Sequence, residues 1–325
     1  MKLLTFLDSQ KRQRLGVLLQ NEILDVAQAA QEMAQDSRST PHSMLEVIEK
    51  QERALPLLEQ IVRAHTEGKL SPSSSLPEAS VQILAPLPRP LSMRDGYAFR
   101  QHVEAARRNR GVPMIPEFDH FPVFYFTNHL AVTGPGDVEV QKLAQNKLDY
   151  ELEVAIVIGK KCRNVAASQA DECIFGYMIM NDWSARDLQM EEMKLNLGPA
   201  KGKDFATSLG PILVTRDELK SFAIPSPVGE RHDLKMKAFV NGKQLSEGNL
   251  KDMSWTFAQI IERASYGVTL YPGEVIGSGT VGTGCLLELN GSKITDNLWL
   301  KPGDEVVMEV EALGQLKNRI QGIEI

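Results

Sequence analysis

Cysteine is scarce in this chain. Cys162, Cys173 and Cys285 form an odd, widely spaced set of three. That excludes a disulfide framework, and no pair has the spacing of a zinc knuckle or a redox motif. They read as reduced thiols of a cytosolic protein, so a cytoplasmic location is expected. Long apolar runs are missing too, and nothing approaches the length of a membrane span. The opening Met1-Lys2-Leu3-Leu4-Thr5-Phe6-Leu7-Asp8 is too short and too soon charged for a signal peptide. Positive charge is not in excess. Lys and Arg number 36 against 42 Asp and Glu, a net charge of −6, which argues against nucleic acid or an anionic membrane as a partner. There is no internal repeat and no low-complexity tract. The Gly-rich stretch 271–284 lacks the lysine of a P-loop and the spacing of a dinucleotide fingerprint.

What remains is a chain of 325 residues with 42% hydrophobic content, enough for one large or two ordinary domains with a real core. Residues 1–80 read as a small N-terminal α/β module. It has short strands near 3–6 and 14–19 and a helical stretch from Met44 to Ala64, bent at Pro56. The polar Ser/Pro-rich segment 67–78 reads as a linker. Residues 81–325 form the larger part. A helix near 96–110 ends at Gly111. Strands are expected at 123–126, 150–158, 174–180, 211–215, 234–240, 285–289 and 304–310, with short helices at 184–194 and 255–265. Many strands with few long helices between them indicate a β-rich α+β fold, mainly antiparallel.

Acidic residues stand out within this plan. In Tyr150-Glu151-Leu152-Glu153 followed by Val154-Ala155-Ile156-Val157-Ile158, a β-branched run marks a strand. Residues two apart on a strand share a face, so Glu151 and Glu153 aim the same way, with Asp149 as a third acid in the alternation. A lone Glu-x-Glu pair is common on solvated faces, but a strand this apolar is buried. Asp182 closes another apolar run, 174–180, just before a turn. Carboxylates at buried strand ends are costly unless their charge is cancelled. Mg²⁺, Mn²⁺ or Ca²⁺ would do so with oxygen ligands.

Other groups cluster by spacing. Asp95 and His102 lie two helical turns apart if both are helical. Ser184 and Asp187 resemble an N-cap with an acid in the first turn, which places Arg186 and Gln189 on one helix face beside Asp182. The loop 198–205 carries Lys203 between glycine and Asp204, either an oxyanion-stabilising cation or an ordinary solvated lysine. Residues 277–284 offer a floor of backbone N–H groups and the Thr280 hydroxyl. Glu288 stands in the apolar run 286–289, where an acid usually has a partner.

Taken together, Arg94-Asp95, Arg100-Gln101-His102, Glu151-x-Glu153, Asn181-Asp182-Trp183-Ser184-Ala185-Arg186-Asp187-Leu188-Gln189, Gly202-Lys203, Gly277-Ser278-Gly279-Thr280 and Glu288 resemble the fumarylacetoacetate hydrolase family over roughly 85–310. The resemblance implies a β-roll or sandwich catalytic domain, usually in a homodimer. It implies that Asp95, Glu151, Glu153 and Asp182 bind Mg²⁺ or a similar ion. His102 would activate water, oriented by Glu288, with Lys203 as a further catalytic cation. Tyr97, Arg186, Gln189 and Thr280 would hold a small diketo acid substrate. The implied reaction is hydrolysis of a C–C bond in a β-diketo acid of the fumarylacetoacetate or acylpyruvate type. Oxaloacetate decarboxylation and dienoate isomerisation or decarboxylation on the same site are the alternatives. A non-catalytic oxo-acid binder is a third. In one respect the chain departs from fumarylacetoacetate hydrolase proper. The stretch after Gln189, Met190-Glu191-Glu192-Met193-Lys194, has no tyrosine to bind substrate. Arg107, Arg108 and Arg110 are candidates for a substrate carboxylate, or a solvated basic face.

Overall fold

A computed structural model describes residues 1–109 and 111–324. Two sheets account for most of it. The larger has twelve strands. Its main path runs Ser75–Pro77, Glu22–Asp25, Gln13–Leu19, Lys2–Leu7, Thr207–Thr215, Ile174–Asp182, Leu152–Ile158, Val275–Gly277, Met93–Gly96, Phe124–Phe126. Along that path the pairing is antiparallel except between Val275–Gly277 and Met93–Gly96. The second sheet has five strands in the order Lys243–Asn249, Lys235–Val240, Glu305–Val310, Gly314–Ile323, Gly136–Gln141.

The central strands explain their own sequence. Leu152–Ile158 is buried at every position, because both faces of the large sheet are covered. Val154, Ile156 and Ile158 join a core shared with Met236, Ala238, Val306 and Met308 of the second sheet. Ala155 and Val157 face the other way, into a core closed by Val47, Ile48, Leu58 and Ile61 of the N-terminal helices. The continuous apolar run is therefore the signature of a strand between two layers, and the β-rich α+β expectation holds.

Several local expectations are corrected. The Met44–Ala64 stretch is two helices, Met44–Glu49 and Gln51–Thr66, broken at Lys50, while Pro56 is carried inside the second. The segment 67–78 is not a loose linker. Ser75–Pro77 pairs with Glu22–Asp25, and Ser71 bonds the Glu32 carboxylate through both Oγ (2.7 Å) and N–H (2.8 Å). The expected strand 285–289 is a helix, Leu286–Gly291. The helix expected near 96–110 spans Arg100–Asn109, and Arg110 lies outside the described residues. Asp95 is on the Met93–Gly96 strand, so it and His102 do not share a helix. Strands at Gly136–Gln141, Lys243–Asn249 and Gly314–Ile323 add to those expected from the sequence. No helix of the described residues is long and apolar enough to cross a membrane.

Candidate active site

Four carboxylates converge at the ends of neighbouring strands. Asp95 lies level with Gly277 in the parallel pair, and Gly277 in turn pairs with Ala155. Glu153 is opposite Met180, two residues from Asp182. Strand alternation puts Glu153 and Asp182 on the sheet face of Ala155 and Met180. Glu151 precedes its strand, and the Asn181 side chain fixes it by accepting from its N–H at 3.0 Å. The result is that Asp95, Glu151, Glu153 and Asp182 each place a carboxylate oxygen within 4.8 Å of the others, and all are buried.

Cations and dipoles balance this charge unevenly. Lys203, buried rather than solvated, donates to Asp182 Oδ2 at 2.8 Å and to Glu151 Oε2. Arg186 donates from Nη2 to Glu151 Oε1 at 2.8 Å. Burial alone would raise Glu151, but Lys203 and Arg186 outweigh it and hold the carboxyl down at about 2. Asp95 is pushed up to about 7 by burial and by the charge of Asp182. Burial and the adjacent Asp95 drive Glu153 well up. Asp182 is raised by burial in spite of Lys203. The Lys203 ammonium, which burial would weaken, is held above its ordinary range by Asp182 and Glu151.

The Gly-rich floor has a specific use. Gly279 N–H donates to both Asp95 Oδ1 and Glu153 Oε2 at 3.1 Å, and Thr280 Oγ1 stands 3.4 Å from Glu153 Oε1. Asp182 Oδ1 is buried with no hydrogen-bond partner. Four hard oxygen donors, three of them raised in pKa by burial and by one another's charge, and one orphaned acceptor make a set that fits a divalent cation.

Beside this cluster is an acid–base pair. His102, on the Arg100–Asn109 helix, places Nδ1 2.7 Å from Glu288 Oε2 on the Leu286–Gly291 helix. Thr283 N–H donates to the other Glu288 oxygen at 2.9 Å. With Nδ1 donating to the carboxylate, Nε2 is left as the acceptor. The Tyr97 ring meets the imidazole edge-on at 5.8 Å.

The remaining expected residues fall close by. Gln189 Oε1 accepts from Arg186 Nη1 at 3.0 Å. The proposed Ser184 cap is corrected. Ala185 occupies the N-cap with no side-chain bond, and Ser184 Oγ donates to the Asp182 carbonyl. Asp149 is not a third acid of the cluster. It binds Arg186 and the N–H groups of Leu286 and Leu287. Arg107 is spent on the Pro113 carbonyl. Glu192, in the stretch without a tyrosine, receives the N–H groups of Ala200, Lys201 and Gly202 and so shapes the loop bearing Lys203.

One participant was missed. Tyr125, on Phe124–Phe126, donates its hydroxyl to Asp182 Oδ2. Together with Asn128, Pro199, Ala200 and Lys203 it lines a pocket of about 270 Å³. Its only sequence signal was the alternation of a three-residue strand, too short to orient a side chain.

Comparisons with known proteins place the chain among relatives. The family model described as fumarylacetoacetate (FAA) hydrolase, C-terminal, matches residues 92–321. The chain is 28% identical over 320 residues to oxaloacetate tautomerase YisK of Bacillus subtilis, covering 95% of this chain and 96% of that protein. It is 30% identical over 282 residues to the mitochondrial oxaloacetate tautomerase FAHD2A of Homo sapiens, 86% and 80% of the two chains. The solved fumarylacetoacetate hydrolase of Exiguobacterium antarcticum is similar with a TM-score of 0.69 at 25% identity, covering 99% of this chain and 100% of that one.

Proposed function

Since the chain belongs to the fumarylacetoacetate hydrolase family of enzymes, we propose that it hydrolyses a C–C bond in a β-diketo acid of the fumarylacetoacetate or acylpyruvate type. Asp95, Glu151, Glu153 and Asp182 would hold the required cation, Mg²⁺ or Mn²⁺. Bound there, it supplies Lewis-acid polarisation and a template for the substrate oxygens. The observation that carries the hydrolytic reading is the His102–Glu288 pair, 2.7 Å apart and buried beside the carboxylates.

The chain's own groups divide the work. Glu288 fixes the imidazole through Nδ1, and Nε2 takes a proton from water. The water oxygen bonds to the carbonyl carbon, and the adjacent C–C bond breaks. Its electron pair remains with the enolate carbon, which is then protonated, giving a carboxylic acid and an oxo acid, a 2-oxo acid from an acylpyruvate and a 3-oxo acid from the fumarylacetoacetate type. Lys203 supplies positive charge near the developing enolate. Arg186 and Gln189 brace Glu151, and Tyr97 and Thr280 line the site.

A second reading is keto–enol tautomerisation of an oxaloacetate-like acid. It is favoured by the two oxaloacetate tautomerases that match most of this chain. That reaction moves a proton and conserves mass. The test is turnover of acetylpyruvate and of oxaloacetate by metal-stripped protein with and without Mg²⁺ or Mn²⁺, with product identification. Metal-dependent formation of two acids, abolished in His102→Ala with Mn²⁺ binding retained, is expected. Interconversion of tautomers without cleavage would replace hydrolysis by the second reading, and unchanged hydrolysis in His102→Ala would remove the assigned base.

A further inference from the structure

Asp149 is fully buried and belongs to neither the carboxylate cluster nor the acid–base pair, yet it touches the supports of both. Its Oδ2 accepts from Arg186 Nε at 2.8 Å and lies 2.7 Å from Nη2. The same guanidinium holds Glu151 Oε1 at 2.8 Å. On the other side, Asp149 Oδ1 accepts from Leu286 N–H at 2.7 Å and Oδ2 from Leu287 N–H at 2.9 Å. These are the first two residues of the helix that carries Glu288.

That helix has no cap of its own. Cys285 occupies its N-cap with no side-chain bond, so the first-turn N–H groups depend on a carboxylate 137 residues away in sequence. Asp149 is itself anchored, because Leu148–Asp149 pairs with Ser184–Ala185 and lies level with Ser184, two residues before Arg186. A buried carboxylate is tolerated only when well paired, and every partner here is a group that must be placed accurately for the site to work.

We propose that Asp149 is a positioning residue that locks the His102–Glu288 pair in register with the carboxylate cluster, through Arg186 on one side and the Glu288 helix on the other. This rests on the acid–base reading of that pair. Losing Asp149 lets the Leu286–Gly291 helix shift, which misplaces Glu288 and His102 while Asp95, Glu153 and Asp182 stay on their strands. Outer residues that hold catalytic groups typically contribute about 10–100-fold to activity.

The test is Asp149→Asn in the full chain, with acetylpyruvate and oxaloacetate as substrates and Mn²⁺ affinity measured by calorimetry. Expected are a kcat lower by about 10–100-fold, and KM and Mn²⁺ Kd each within about threefold of wild type. A kcat within about twofold of wild type in folded protein would overturn the proposal. So would a loss of Mn²⁺ affinity as large as the loss of kcat, which would make Asp149 a support of the cluster alone. If Asp149→Asn fails to fold, Leu287→Pro removes one of the two N–H donors in the first turn, where no intrahelical hydrogen bond is lost. It should lower kcat with Mn²⁺ affinity kept, and unchanged kcat there counts against the proposal. His102→Gln is assayed in parallel. Full activity of that variant would sink the acid–base reading itself, whereas its loss beside an active Asp149→Asn would sink only the role of Asp149.

Discussion

At the scale of single residues, the site is defined by how unequally its four acids are paired. Glu151 has two cations and is held at about 2, while Asp95 has none in direct contact and is raised to about 7. A carboxyl raised from its ordinary 3.8 binds its proton more tightly in the folded chain than in the unfolded one. Its contribution to stability is therefore full below pH 4 and is lost as pH rises through 7. A cation needs the ionised carboxylate, so protons compete with it. With Asp95, Glu153 and Asp182 all raised, Mn²⁺ affinity of the metal-free protein should rise with pH from 5 to 7, by up to about tenfold per pH unit for each proton displaced. Proton release on binding, read by calorimetry in buffers of different ionisation heat, should be largest below pH 7. Affinity that is flat across this range, with no proton released, would show that the raised carboxyls, Asp95 among them, do not ligate the ion. Much of this was legible. Glu151, Glu153 and Asp182 could be read from strand period and strand ends. The environment of Lys203 could not, because nothing local tells a loop lysine from one buried between two acids. The role of His102 came from resemblance, since its partner Glu288 is 186 residues away.

At the scale of elements, the segment 275–291 shows where sequence reasoning succeeds and where it stops. Its glycines correctly pointed to backbone N–H groups at the site. The run Leu286-Leu287-Glu288-Leu289 reads as a strand in the sequence because a short apolar run fits either element, whereas the structure makes it a helix. The deciding interaction, the Asp149 carboxylate on the first-turn N–H groups, is remote in sequence. The missed strand Gly314–Ile323 failed for a related reason. Buried Asn318, bonded to the Gly134 carbonyl at 2.9 Å, interrupts its inward apolar series. The loop makes a sharp prediction at Gly279, which has φ +77, and a Cβ there would lie 2.6 Å from the Gly96 carbonyl oxygen. Backbone cannot yield cheaply, so Gly279→Ala should shift the N–H away from Asp95 and Glu153. We expect a loss of more than about 1 kcal/mol of stability together with weakened Mn²⁺ binding. Gly68→Ala is the control, since Gly68 has a similar φ of +69 but open space around its Cβ. It should cost stability of the same sign without touching Mn²⁺ affinity. Equal Mn²⁺ affinity in both variants would show that the Gly279 N–H does not organise the carboxylates.

At the scale of the whole molecule, the N-terminal module and the catalytic part share one sheet. Lys2–Leu7 pairs with Thr207–Thr215, which in turn pairs with the strand bearing Asp182. Composition suggested a linker before residue 80. Pairing partners as remote as Leu3 and Leu213 cannot be read from composition, so the continuity of the sheet was not visible in the sequence. Its energetic weight is large. Leu3, Leu15, Val17, Leu24, Val47, Ile48, Leu58 and Ile61 are all buried in the core that also contains Ala155, Val157, Met178 and Met180. Each of these buried aliphatic side chains contributes about 1.5–3 kcal/mol before the entropy cost of ordering the chain, so a module that loses them all is not expected to stand alone. A fragment of residues 81–325 would expose both the open edge of Thr207–Thr215 and the apolar face behind Glu153 and Asp182. We therefore expect that fragment, expressed alone, to aggregate by light scattering and to show neither a cooperative melt nor saturable Mn²⁺ binding. Residues 1–80 alone should likewise lack a cooperative transition, because their helices would lose the sheet face they cover. A soluble 81–325 fragment that melts cooperatively and binds Mn²⁺ like the full chain would show that the carboxylate cluster is held by its own strands, with the N-terminal module as a separable addition.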